Sequence, residues 1–320
     1  MQRVREAHPP HAPERGWSHR LLGRFHVTGV FWYRFHRWGV AFLPQWGVGA
    51  FVMLFTTFFF LTLWRIRRAL AENLVPVLGP CRFFERQARI YRTMWSFAWC
   101  LSERYERLAT DRRFTIEIDH ERWNELTRQG QGFILVTAHV GNYEVGSMLP
   151  ATQREQRVIV VREKEVDEEA QAFIQELLEQ AGHAQYVSHF EEEDPSHALT
   201  LLAALRGGAI VGMQGDRPRA GGPTVSRQLF GRPFELPSGP AALARAAGVV
   251  LVPAFVFRVE RLHYRVEIGE PIPVQRTEDR DTDLRNATSR IGDAIESAIR
   301  RHPHQWFCFR SVFRNDPQSL

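Results

Sequence analysis

From Phe114 onward, short β-branched runs alternate with stretches of helical period, and this alternation narrows the fold more than any other feature of the chain. Strand-like runs fall at residues 115–118, 133–137, 158–161, 209–214, 249–257 and 264–268, and helical patterns at 120–128, 142–149, 168–181, 195–205, 240–247 and 283–301. Strands separated by helices predict an α/β fold with a largely parallel central sheet flanked by helices. In such sheets, ligands collect beyond the carboxyl ends of the strands. The chain shows no internal repeat that would point to a solenoid.

Upstream the character changes. Residues 46–64, WGVGAFVMLFTTFFFLTLW, carry no charge, close to the ~20 apolar residues that cross ~30 Å of hydrocarbon. Arg34 and Arg37 precede this run, Arg65, Arg67 and Arg68 follow it, and Trp38, Trp46 and Trp64 stand where interfacial aromatics anchor. Basic flanks at both ends fit a spanning helix, a re-entrant one, or one lying in the interface. Residues 1–30 are polar and read as a disordered tail, 31–80 as a membrane-associated helical segment, and 81–320 as a catalytic domain, with Pro76, Gly79 and Pro80 punctuating the boundary. Residues 83–108 mix aromatics with Arg and Glu as an amphipathic helix does.

A net charge of +5 favours an anionic partner such as phospholipid headgroups or an acidic carrier protein. The basic residues form no recognisable nucleic-acid module. Cys81, Cys100 and Cys308 are too scattered for a disulfide framework or a CxxC metal site, and His302 and His304 lack the companions of a zinc site. Neither a phosphate-binding P-loop nor a dinucleotide fingerprint is present.

Chemistry concentrates in GFILVTAHVGNYEVG, residues 132–146. An apolar strand ends at Thr137, and His139, Gly141, Asn142 and Glu144 follow as the chain turns towards a helix. Five residues of helix separate side chains by about 140°, so His139 and Glu144 meet only if His139 lies in the turn, which Gly141 permits. A carboxylate on one imidazole nitrogen fixes the tautomer and leaves the other nitrogen to take a proton. By residue type alone, a structural His–Glu pair is the commoner outcome. The segment has no GxSxG elbow, which disfavours a covalent serine hydrolase. Arg162, just past the run 158–161, and Asp216 and Arg217, just past 209–214, belong to the same sheet edge.

The block HVGNYE resembles the H-x4-D/E motif of the lysophospholipid acyltransferase superfamily. GMQGDRP (212–218), LFGRPFELPSGPAALARAAGVVLVP (229–253), IGEPI (268–272) and HPHQWFCFRSVFR (302–314), in that order, are similar to the branch containing bacterial lipid A late acyltransferases and phosphatidylinositol mannoside acyltransferases. The resemblance implies a membrane-bound O-acyltransferase that moves a fatty acyl chain from acyl carrier protein or acyl-coenzyme A to a hydroxyl of a glycolipid or phospholipid. No metal or organic cofactor is expected. It implies His139 as general base, Glu144 as its orienter, Asp216 in the site's architecture and Arg217 on an anionic substrate group. Asn142 and Arg162 are further candidates for substrate binding. Ser238 corresponds to a phosphate-binding block of glycerolipid relatives, but ELPSG replaces their FPEG-type sequence, and a helix N-cap is the plainer reading. The expected place is the cell inner membrane, with the catalytic domain on the cytoplasmic side. An N-acyltransferase of aminolipid synthesis, a hydrolase using the same base, and a non-catalytic membrane adaptor remain as alternatives.

Overall fold

The computed structural model describes residues 35, 38, 39, 42–109, 114–128, 130–142, 157–162, 186–190, 195–219 and 221–313. Among the described residues, the α/β part is preceded by the helices α1 (Gln45–Thr62), α2 (Trp64–Leu78) and α3 (Phe83–Ala109). The α/β part then runs β1 (Thr115–Ile118), α4 (His120–Thr127), β2 (Phe133–Thr137), β3 (Val158–Arg162), β4 (Tyr186–Phe190), α5 (Pro195–Arg206), β5 (Ile210–Gln214), β6 (Thr224–Leu229), β7 (Arg232–Pro237), α6 (Gly239–Ala247), β8 (Leu251–Glu260), β9 (His263–Ile268) and α7 (Arg280–Arg301).

Seven strands form one sheet in the order β1-β9-β8-β2-β5-β3-β4. Five neighbouring pairs are parallel, and only β8 with β9 is antiparallel. The expected parallel α/β architecture is therefore present, with β9 and β1 running against the rest. β6 and β7 form a separate antiparallel hairpin.

The central strand β2 is apolar on both faces because both are covered. Ile134 and Val136 pack with Leu205, Ala241, Ile291 and Ile295 from the helices on one side. Phe133 packs with Trp123 of α4, Val158, Ile210 and Tyr264 on the other. Helix ends follow local chemistry: Asp279 accepts from the Thr282 amide at the start of α7, and Asp119 does the same for Arg122 at α4.

Two expectations change. Residues 46–64 do not form one rod: the chain breaks at Leu63, and the two helices meet at 90°. Among the described residues, no single helix is long and apolar enough to cross a membrane; the bent pair passes that test only jointly. α1 buries Val48 and Val52 against Ala98 of α3 while its other face stays open, with Trp46 85% and Leu54 68% exposed. Second, β4 and the β6–β7 hairpin were not expected. The helices read at 142–149 and 168–181 lie outside the described residues, apart from Asn142.

Candidate active site

His139 stands in the turn just past β2, its backbone held on two sides. The Phe307 amide donates to the His139 carbonyl at 2.8 Å, the Gly141 amide to the Gln305 carbonyl at 2.7 Å, and the Asn142 amide to the Val256 carbonyl at 3.0 Å. The loop is thus threaded between β8 and the carboxyl-terminal segment. Gly141 makes this possible, with φ +60° and the place of a Cβ only 2.0 Å from the Val256 carbonyl oxygen. No other residue fits that approach without displacing a strand.

Asp216 and Arg217 arrive from the neighbouring strand β5, as the strand-end reading anticipates. The Gly215 amide donates to the Thr137 carbonyl at 2.8 Å, and a Cβ at Gly215 would lie 2.6 Å from Val136. The bare backbone brings the two strand ends together. Asp216 Oδ1 then lies 2.8 Å from His139 Nδ1, and Arg217 Nε lies 2.9 Å from the same nitrogen. One ring nitrogen cannot serve both. When Asp216 is ionised, Nδ1–H donates to it and the ring's lone pair is on Nε2. When Asp216 is protonated, the arrangement favours Nδ1 accepting from Arg217, so the proton moves to Nε2.

Electrostatics place that choice near neutrality. Asp216 is 1% exposed, and burial pushes its carboxyl up to about 7, opposed by its backbone hydrogen bond, the Trp306 indole and Arg310. The indole approaches without completing a hydrogen bond; among the described residues Asp216 Oδ2 has none. Burial lowers Arg217 to about 10, with Arg310 acting in the same direction, so the guanidinium stays charged at neutral pH. Cys308, close to both, has its thiol pushed up to about 11 by burial and is no nucleophile.

The remaining candidates fall at different places. Arg162 ends β3, two residues past the Val160–Gly212 pairing, level with the end of β5. Asn142 is buried, and its side-chain amide donates to the Cys100 carbonyl and to Tyr264 Oη, each at 3.2 Å; the carboxamide anchors the loop. Ser238 occupies the N-cap position of α6 but makes no side-chain capping bond; its hydroxyl donates instead to the Pro223 carbonyl at 3.2 Å. Glu144 lies outside the described residues. Among the described residues, no cluster of three or more His, Cys, Asp or Glu could hold a metal.

Sequence reasoning missed the support beneath this loop. Glu103 of α3 is fully buried and accepts from Tyr264 Oη and from Arg258, whose Nη2 lies 2.7 Å away. Arg258 stacks over Trp99 at 5.1 Å. Gln305 clamps the Arg258 backbone through both ends of its amide. Glu103 and Arg258 are 155 positions apart, and no local signal connects them.

A histidine at the mouth of a parallel sheet, bonded to a buried carboxylate of the adjacent strand, is an arrangement able to serve general-base chemistry. Comparison with known families makes that chemistry specific, because the family model described as bacterial lipid A biosynthesis acyltransferase matches residues 18–315. The chain belongs to that family and is an acyltransferase. No curated protein sequence matches it.

Proposed function

We propose that the protein transfers a fatty acyl chain from an acyl carrier protein or coenzyme A thioester to a hydroxyl of a glycolipid or phospholipid at the cytoplasmic face of the inner membrane. The observation that carries this reading is the 2.8 Å bond between His139 Nδ1 and Asp216 Oδ1. It leaves Nε2 as the base.

In the reaction, Nε2 takes the acceptor hydroxyl's proton as the oxygen attacks the thioester carbonyl. The carbon–sulfur bond then breaks, and the imidazolium returns its proton to the departing thiolate. Asp216 stabilises the imidazolium. Glu144 keeps the orienting role that the H-x4-E motif assigns it, now shared with Asp216. Arg217 and Arg162 supply positive charge for a phosphate of donor or acceptor. Asn142 and Ser238 act through the backbone they hold rather than by touching substrate. Donor thioester and acceptor provide every group the reaction consumes, so no cofactor is needed.

The elbow of α1 and α2 supports the membrane part of the reading. Trp46, Leu54, Leu61, Trp64 and Phe84 are exposed large apolar side chains, with Arg65 and Arg68 beside them. Such a surface suits an anionic lipid interface. The function is tested by incubating purified protein with acyl thioesters and a total lipid extract, then seeking a lipid heavier by one acyl group. Only free fatty acid would indicate a hydrolase, an acylated amine an N-acyltransferase, and lipid binding without turnover an adaptor.

A further inference from the structure

We infer that Asn73, on the amphipathic helix α2, is a positioning residue of the acyl-transfer site. Asn73 is 1% exposed and its carboxamide is fully engaged. Nδ2 donates to the Cys308 carbonyl at 3.0 Å and the Arg310 carbonyl at 2.7 Å, while Oδ1 accepts from the Val312 amide at 3.1 Å. All three partners lie on one short segment at alternate residues.

The backbone groups of residues 308, 310 and 312 turn to Asn73, while those of 305 and 307 reach the histidine loop. There the Phe307 amide donates to the His139 carbonyl at 2.8 Å, and the Gln305 carbonyl accepts from Gly141 at 2.7 Å. The segment is a slat fixed to the histidine loop along one edge and to Asn73 along the other. It also carries Arg310, whose Nη2 donates to the Pro218 carbonyl at 3.2 Å, two residues beyond Asp216.

Deleting the carboxamide releases one edge, and the displacement reaches both His139 and the Asp216–Arg217 turn. This inference rests on the acyl-transfer reading but adds a residue 66 positions upstream of His139, on a helix that contributes no side chain to the His139–Asp216–Arg217 contacts. Asn73 acts on the geometry of the base, so it changes the chemical step rather than donor affinity.

The test compares Asn73→Ala and Val312→Pro with Val52→Ala in the full-length protein, with turnover measured on a soluble acyl thioester and expressed per folded molecule. Val312→Pro removes the amide that reaches Oδ1, and with it the core contact of the Val312 side chain and the freedom of φ at that residue. Val52→Ala loosens the packing of α1 on α3 away from the site. The expectation for Asn73→Ala is a kcat lowered on the order of 10- to 100-fold, with KM for the donor unchanged and the pH limb of kcat displaced. Val312→Pro follows with a smaller loss of the same kind, and its result decides the matter if Asn73→Ala does not fold. Val52→Ala lowers the melting temperature and leaves kcat and its pH limb in place. Folded Asn73→Ala or Val312→Pro with wild-type kcat and pH profile overturns the inference. That outcome leaves the acyl-transfer reading intact, because dependence of turnover on His139 tests that reading separately.

Discussion

Asp216→Asn pits stability against catalysis in a way the structure makes quantitative. The substitution keeps the shape and an oxygen to accept from His139 Nδ1, but it removes the titration. Burial raises the folded carboxyl from 3.8 to about 7, a gap of about 3 units, equivalent to roughly 4 kcal/mol. A carboxyl whose folded pKa lies above its unfolded value contributes stability that is fully present below the unfolded pKa. That contribution is lost as pH rises through the folded pKa. The wild type therefore loses up to about 4 kcal/mol between pH ~4 and pH ~7 that the asparagine variant keeps. In chemical denaturation at pH 8 the variant is the more stable of the two; at pH 4 the difference disappears. Turnover moves the other way. An amide cannot stabilise the imidazolium, and kcat falls by about 10²- to 10⁴-fold, the range ascribed to a positioned acid–base group. In the wild type, kcat rises with pH through a limb near 7 as Asp216 ionises, and the variant loses it. An Asp216→Asn enzyme with kcat within a few-fold of wild type and the same limb would refute the reasoning and leave Glu144 as the sole orienting acid.

Other perturbations test the surroundings of the site. Gly141→Ala forces a Cβ against the Val256 carbonyl at a positive φ, so unfolding free energy drops by at least about 2 kcal/mol and turnover is lost, as denaturation and activity assays will show. Glu103→Ala strands Arg258 beneath the loop, costing about 3–5 kcal/mol on melting; Tyr264→Phe, which loses the hydrogen bond to Glu103 and the one received from Asn142, costs about 2–3 kcal/mol. Replacing Trp46 and Leu54 by Glu removes two exposed apolar side chains, each worth ~1.5–3 kcal/mol when buried. Sedimentation with anionic vesicles falls by at least tenfold, with no change in melting temperature.

Much of the sheet was legible because its strands are buried on both faces. β2 is a run of Phe, Ile, Leu, Val and Thr with no polar interruption, and its bounds fall where the sequence places them. β1 agrees as closely. β4 was not legible: Ser188 and His189 interrupt a five-residue run. The β6–β7 hairpin hid for another reason. Pro233 and Pro237 argue against a strand, yet here they lie in a two-stranded ribbon where nothing on the far side needs their missing amides.

The site divides in the same way. His139 and the edge that Asp216 and Arg217 share were readable from strand ends alone. The bond joining His139 to Asp216 spans 77 positions and follows from β5 lying beside β2, a neighbour relation that tertiary packing sets. The elbow at Leu63 was equally hidden. No proline or glycine marks it, and an uninterrupted apolar run reads as one helix although the chain bends through 90° there.

The central claim is that His139 Nε2 removes the acceptor's proton. Single-turnover transfer from a labelled acyl thioester to the acceptor lipid, wild type against His139→Ala, tests it most directly. The account predicts a loss of at least about 10²-fold in the transfer rate for a variant whose circular dichroism and melting match the wild type. Transfer at an undiminished rate by that folded variant would contradict it.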